Sequence, residues 1–137
     1  MADLNPPSST IPRPVFIVSD GTAITAETLA QAVLTQFPNL NYEQRRIPFV
    51  DTVEKAVATA DRINLVQEKT GMRPLVFSTF SRKSISNAFC DECTGFVSEL
   101  FRSFVNPLEE ELGMKSSHQV GMTHRIRNEE NYDRRIA

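Results

Sequence analysis

Apolar positions along the chain alternate between short solid runs and longer stripes at helical spacing. The run VFIV at 15–18 follows Pro14 and is ended by polar residues. That is the profile of a short strand covered on both faces of a parallel sheet. Behind it, Ala26, Leu29, Ala30, Val33, Leu34 and Phe37 recur every three or four positions and predict a helix that Pro38 and Asn39 stop. RRIPFV at 45–50 reads as a second strand, and Pro48 places it at a sheet edge or in a bulge. Asp51 and Thr52 then open a helix with Val53, Ala56, Val57, Ala60 and Ile63 on one face, ending at Thr70 and Gly71. PLVFST at 74–79 is the third strand, and SRKSISNAF begins a third helix.

From Gly95 onward the pattern admits two readings. Phe96, Val97, Leu100, Phe101, Phe104, Val105, Leu108 and Leu112 fit one helical stripe. Equally, 95–100 forms a fourth strand feeding a helix over 101–112, which Gly113 closes. Strands and helices in alternation with short joints imply right-handed crossovers. The expected fold is α/β, a three-layer sandwich with a mostly parallel sheet of three or four strands built from βαβ units. This domain occupies 14–113. A Pro- and Ser-rich leader at 1–13, expected to be disordered, precedes it. A polar, irregular connector at 114–137 follows and runs into YDRRIA, the first turns of a helix that the chain ends inside, as a truncated protein would.

Composition narrows the function classes. The chain has 137 residues, 40% hydrophobic and 23% charged, which suits one self-sufficient core. A net charge of -2 offers no electrostatic case for nucleic acid or an anionic membrane. No apolar run is long enough to span a bilayer, and the N-terminus lacks the blocks of a signal peptide. The expected location is the cytoplasm. Cys90 and Cys93 form a single C-x-x-C, and zinc would need two further ligands where only His118 and His124 exist, at unsuitable spacing. Asp91 and Glu92 between the cysteines disfavour a reactive redox pair. Both thiols are therefore expected to pack quietly, and no metal site is expected.

Ligands of open parallel sheets bind beyond the carboxyl ends of the strands. The first end offers Ser19, Asp20, Gly21 and Thr22, with Thr25 a turn further on. The second offers Asp51 and Thr52, and the third Ser78, Thr79, Ser81, Arg82 and Lys83. If these ends share a rim, Gly21 lets the backbone turn closely, and the free amides opening the next helix favour a negative group. A phosphate is a reasonable occupant, with Asp20 the candidate catalytic residue. Capping competes with this reading, above all at Asp51 and Thr52, because Ser, Thr and Asp are preferred helix caps. Asp20 as a phosphatase-type nucleophile is disfavoured, since position 22 is Thr rather than a second Asp. Neither G-x-x-x-x-G-K-[ST] nor G-x-G-x-x-G occurs, so no nucleotide loop of either type is encoded here.

Taken together, VFIVSDGTAITAETLAQAVLTQFP, RRIPFVDTVEKA, GMRPLVFSTF, PLEEELGMKSSHQVG and YDRRIA resemble, in order, the phosphoenolpyruvate synthase regulatory protein family. Its plant relatives regulate pyruvate, phosphate dikinase. The resemblance implies a bifunctional serine/threonine kinase and pyrophosphorylase. Phosphate from ADP is placed on a threonine of phosphoenolpyruvate synthase, and inorganic phosphate later removes it as pyrophosphate. It extends over the N-terminal half only, because the family's downstream G-x-S-R-x-G-K-T loop is absent from this sequence. ADP and inorganic phosphate are thus implied as substrates of the full-length protein, with no cofactor bound and little or no phosphotransfer by this chain alone. Apolar surface left by a missing half would favour a homodimer.

Overall fold

The computed structural model describes residues 11–117. Elements alternate along the chain: β1 (Arg13–Ser19), α1 (Ile24–Leu34), β2 (Tyr42–Ile47), α2 (Val53–Thr70), β3 (Leu75–Thr79), α3 (Lys83–Glu92) and β4 (Phe96–Glu99). A π-helical turn at Phe101–Val105 then leads directly into α4 (Asn106–Leu112). All strand pairs are parallel, and the order across the sheet is β2-β1-β3-β4.

This order explains which face each helix takes. The chain steps one way from β1 to β2, then crosses back over β1 to β3 and on to β4. Right-handed crossovers in opposite directions put their helices on opposite faces. Accordingly Val15, Ile17 and Phe77 pack with Ala26, Ala30 and Leu34 of α1 on one face. Phe16, Val18 and Val76 pack with Ala56, Ala60 and Ile63 of α2 and Ile85 and Phe89 of α3 on the other. The result is the expected α/β sandwich, and the second reading of 95–112, a strand followed by a helix, is the one adopted.

Several boundaries move. β1 starts at Arg13, inside the segment read as a leader, because its amide reaches the Asn41 carbonyl at 2.8 Å. The second strand is Tyr42–Ile47 rather than 45–50. It is an edge strand, registered with β1 from Arg13↔Tyr42 to Val18↔Ile47, and it stops where Pro48 has no amide to offer. α1 ends at Leu34, so Phe37 lies beyond it and is 59% exposed. Val53 likewise faces solvent. Residues 1–10 of the expected leader, the connector from 118 on, His118 and His124 lie outside the described residues. Among the described residues no helix is long and apolar enough to cross a membrane.

Side-chain or glycine caps mark both ends of α2 and the C-terminus of α4. The Thr52 hydroxyl accepts the Lys55 amide at 3.0 Å, and Gly71 ends α2 with a left-handed φ of 73°. Gly113 ends α4 in the same way. α1, like α3 and α4, has no side-chain cap at its N-terminus, and it alone begins at a left-handed residue, Ala23.

Candidate functional site

Because β1 sends its crossover one way and β3 the other, a crevice opens at their carboxyl ends. Ser19 and Thr79 face each other there in register. Both are buried, and their hydroxyls are spent on protein. Thr79 Oγ1 donates to Ser19 Oγ at 3.0 Å, Ser19 Oγ donates to the Thr79 carbonyl at 3.1 Å, and the Gly21 amide donates back to Ser19 Oγ at 2.9 Å. The pair therefore joins the two strand ends beneath the rim. Ser78 is fully buried, and its Oγ has no hydrogen-bond partner among the described residues.

Asp20 is the half-buried residue at the centre of the rim. Its Oδ2 accepts both the Ser81 amide at 2.8 Å and the Ser81 hydroxyl at 2.9 Å, tying the loop after β1 to the turn before α3. The loop after β2 closes the third side. The Phe49 amide donates to the Gly21 carbonyl at 2.8 Å, and the Val50 amide donates to the Ser19 carbonyl at 2.9 Å. The three strand ends named from sequence thus meet on one rim.

Gly21 meets no steric demand for glycine in this loop. Its φ is not left-handed, and an added Cβ would meet only Ser19 Oγ at 3.8 Å. The left-handed residue of this loop is Ala23, with φ 73° and 2% exposure. Thr22 is exposed, its hydroxyl accepting the Ile24 amide at 3.4 Å, and Thr25 sits half-buried in the first turn of α1. Arg82 and Lys83 are exposed where α3 begins. Asp51 and Thr52 are both engaged at the start of α2. Thr52 caps α2, and Asp51 pairs with Lys55 at 2.9 Å, a hydrogen bond that holds its carboxyl below the ordinary range. Arg82 lies close enough to lower it further. The rim accordingly offers exposed basic groups and hydroxyls around a carboxylate that is already engaged.

Sequence reading missed Glu99. It ends β4 at 2% exposure, opposite Ser78 in register. Its Oε2 accepts the Phe80 amide at 3.0 Å, and its Oε1 accepts the Arg102 amide at 3.2 Å and the Ser86 hydroxyl at 3.3 Å. Burial pushes this carboxyl up, against the amides of Phe80, Arg102 and Phe101 and the Ser86 hydroxyl, which pull it down. The available signal was a single acid inside the apolar run FVSELF, at a strand's carboxyl end. Beside it lies a cavity of about 30 Å³, lined in part by Ser81, Lys83, Asn87 and Asn106.

Elsewhere, α1 covers β1 and β3 but leaves β4 open on its side. A largely apolar groove of about 650 Å³ results, bounded by Leu34, Phe37, Leu40, Leu75, Phe77 and Phe96. Burial pushes the thiols of Cys90 and Cys93 up, away from reactivity. Among the described residues no three His, Cys, Asp or Glu side chains cluster as a metal site would require.

Residues 15–137 match the family model described as kinase/pyrophosphorylase. The chain is 44% identical over 124 residues to a protein of Stutzerimonas stutzeri named "Putative phosphoenolpyruvate synthase regulatory protein", covering 90% of this chain and 45% of that one. Proteins of the same name from Paraburkholderia phytofirmans and Bordetella avium are 46% and 44% identical over 126 and 129 residues. Those matches cover 92% and 94% of this chain, and 46% and 47% of the relatives. The chain therefore spans about half the length of the curated relatives it matches.

Proposed function

The chain belongs to the kinase/pyrophosphorylase family, and from that premise we propose that it is the N-terminal part of a bifunctional regulator acting in the cytoplasm on phosphoenolpyruvate synthase. In one direction the full-length protein moves the β-phosphate of ADP to a threonine hydroxyl of the synthase, releasing AMP. In the other, inorganic phosphate takes the phosphoryl group from that threonine and leaves as pyrophosphate. The name shared by the relatives supports the synthase as target.

The observation that carries this reading is the switch point where β1 and β3 diverge in crossover direction, with Asp20 after β1 bonded to Ser81 after β3 and Arg82 exposed next to Ser81 in the chain. Crevices of this kind seat anionic ligands at loop amides and helix starts. This half supplies one wall of a phosphoryl-handling site. The nucleotide-phosphate lysine and metal-binding hydroxyl of a G-x-x-x-x-G-K-[ST] loop are not in this sequence, so the chain alone is inactive. Incubating it with ADP and the synthase, followed by mass spectrometry of the synthase, is expected to show no phosphothreonine; stoichiometric modification would overturn the assignment of inactivity. Calorimetry with inorganic phosphate tests the rim. Heat that disappears in Arg82→Ala supports it, and no heat with phosphate, ADP or a phosphothreonine peptide leaves a partner-binding module.

A second reading concerns assembly. The groove beside α1 and the uncovered stripe of Phe104, Leu108 and Leu112 occur on one chain, and α4 buries none of its residues. Both surfaces would be covered if two copies exchanged α4 into each other's groove, a closed homodimer. Sedimentation of the wild type and Phe96→Asp tests this: a dimer dissociated by the substitution supports it, and a wild-type monomer excludes it.

A further inference from the structure

From the geometry around β4 we infer that Glu99 is a positioning residue for the rim, holding the turn through which Ser81 reaches Asp20. Glu99 is a carboxylate 2% exposed at the end of β4. What it does is join three elements. One oxygen takes the Phe80 amide, and the other takes the Arg102 amide in the first turn after β4 and the Ser86 hydroxyl of α3. Phe80 is flanked by Thr79, whose hydroxyl bonds Ser19, and by Ser81, whose amide and hydroxyl bond Asp20.

One short turn is therefore gripped from both sides, by Asp20 from β1 and by Glu99 from β4. Its backbone has little freedom while both carboxylates are in place. Phe80 adds a third restraint, 1% exposed and with its ring centroid 5.2 Å from that of Phe89. Loss of Glu99 frees the amide of Phe80 next to the residue that orients Asp20, on the far side of the turn from Asp20 itself. The effect on Asp20 is thus indirect, through Phe80 and Ser81. That the rim so held handles phosphoryl groups rests on the function proposed above; the positioning does not.

Amide hydrogen exchange of the whole 137-residue chain, read by NMR in wild type, Glu99→Gln, Asp20→Ala and the double variant, tests it. Gln can accept from only one of the two donor sets and lacks the charge that strengthens each bond. The expected result is exchange at Phe80 and Ser81 at least about tenfold faster in Glu99→Gln, with Ile17 and Val76 in the sheet centre unchanged. At Ser81, the double variant should exchange no faster than the quicker single variant. Uniform acceleration at all amides would assign Glu99 a general stabilising role and overturn the inference. So would an unchanged Ser81 or additive effects of the two substitutions. If Glu99→Gln does not fold, Ser86→Ala removes one partner of the carboxylate more gently and should give the same local pattern at several-fold; its absence there also overturns the inference. Phosphate calorimetry on the wild type fails or succeeds independently, so the two readings can be lost separately.

Discussion

Removing the carboxylate of Asp20 should cost the fold stability, because the structure uses it as a strut between two loops. In Asp20→Ala, two hydrogen bonds to one carboxylate oxygen are lost, at 2.8 and 2.9 Å from the Ser81 amide and hydroxyl. Charge-assisted bonds of this kind contribute about 1.5–3 kcal/mol each when buried. Asp20 is half-buried, so water can take over part of both, and the Ser81 hydroxyl can turn to solvent. A net loss of about 2 kcal/mol follows. For a domain of this size that corresponds to a fall in Tm of roughly 8–16 °C. Urea unfolding followed by circular dichroism should show a lower midpoint with an unchanged slope, since the surface exposed on unfolding is the same. Asp20→Asn should lose about half as much, because its amide oxygen still accepts but without charge. The Asp20→Ala/Ser81→Ala cycle should show a coupling of about 1 kcal/mol. An Asp20→Ala variant within about 0.5 kcal/mol of wild type would refute the reasoning. Asp20 would then be free for chemistry rather than committed to the scaffold.

Other outcomes follow from single positions. Ala23→Val should destabilise by about 2–3 kcal/mol in thermal unfolding, since a β-branched residue at φ 73° and 2% exposure has neither backbone nor space. Ala23→Gly should be neutral to within about 1 kcal/mol, relief of the left-handed backbone offsetting the lost methyl burial. Gly95→Ala should cost about 1–3 kcal/mol, because its Cβ would sit 3.0 Å from the Pro74 carbonyl oxygen and 3.2 Å from Val76 Cγ2. The same substitution should speed exchange of the Phe96 amide, which bonds that carbonyl at 2.8 Å. Burial raises the thiols of Cys90 and Cys93 above their ordinary 9.0 in the folded chain, while the unfolded chain ionises at the ordinary value. The folded state then holds these protons where the unfolded state has lost them, so stability is complete below pH 9.0 and declines above it. Urea midpoints of Cys90→Ala/Cys93→Ala measured across that range should decline less steeply than those of wild type.

Local pattern carried the element types because it records what each segment buries. The solid run at 15–18 required cover on both faces, and the structure covers it with α1 on one side and α2 and α3 on the other. Thr52, Gly71 and Gly113 marked helix ends for reasons of backbone geometry that act within a few residues. The polar ends of the first and third strands were legible too, as hydroxyls and acids following apolar runs.

The second strand shows where that reading stops. Apolar content favoured 45–50, but the ladder with β1 runs from Tyr42 to Ile47, where an edge strand can expose Glu43, Arg45 and Arg46. Strand order belongs to the same class of fact. No local signal says that β2 and β3 lie on either side of β1, yet that order places the crevice between β1 and β3. It also brings β4 beside β3, so that Glu99 reaches an amide nineteen positions earlier. Sequence by itself determined the alternating elements and the polar residues at their ends, through contacts spanning a few residues. Only the tertiary structure decided which of those residues face solvent, which are spent on one another and which carboxylates hold the turn. Those outcomes depend on pairings between segments far apart in the chain, and side-chain periodicity does not encode them.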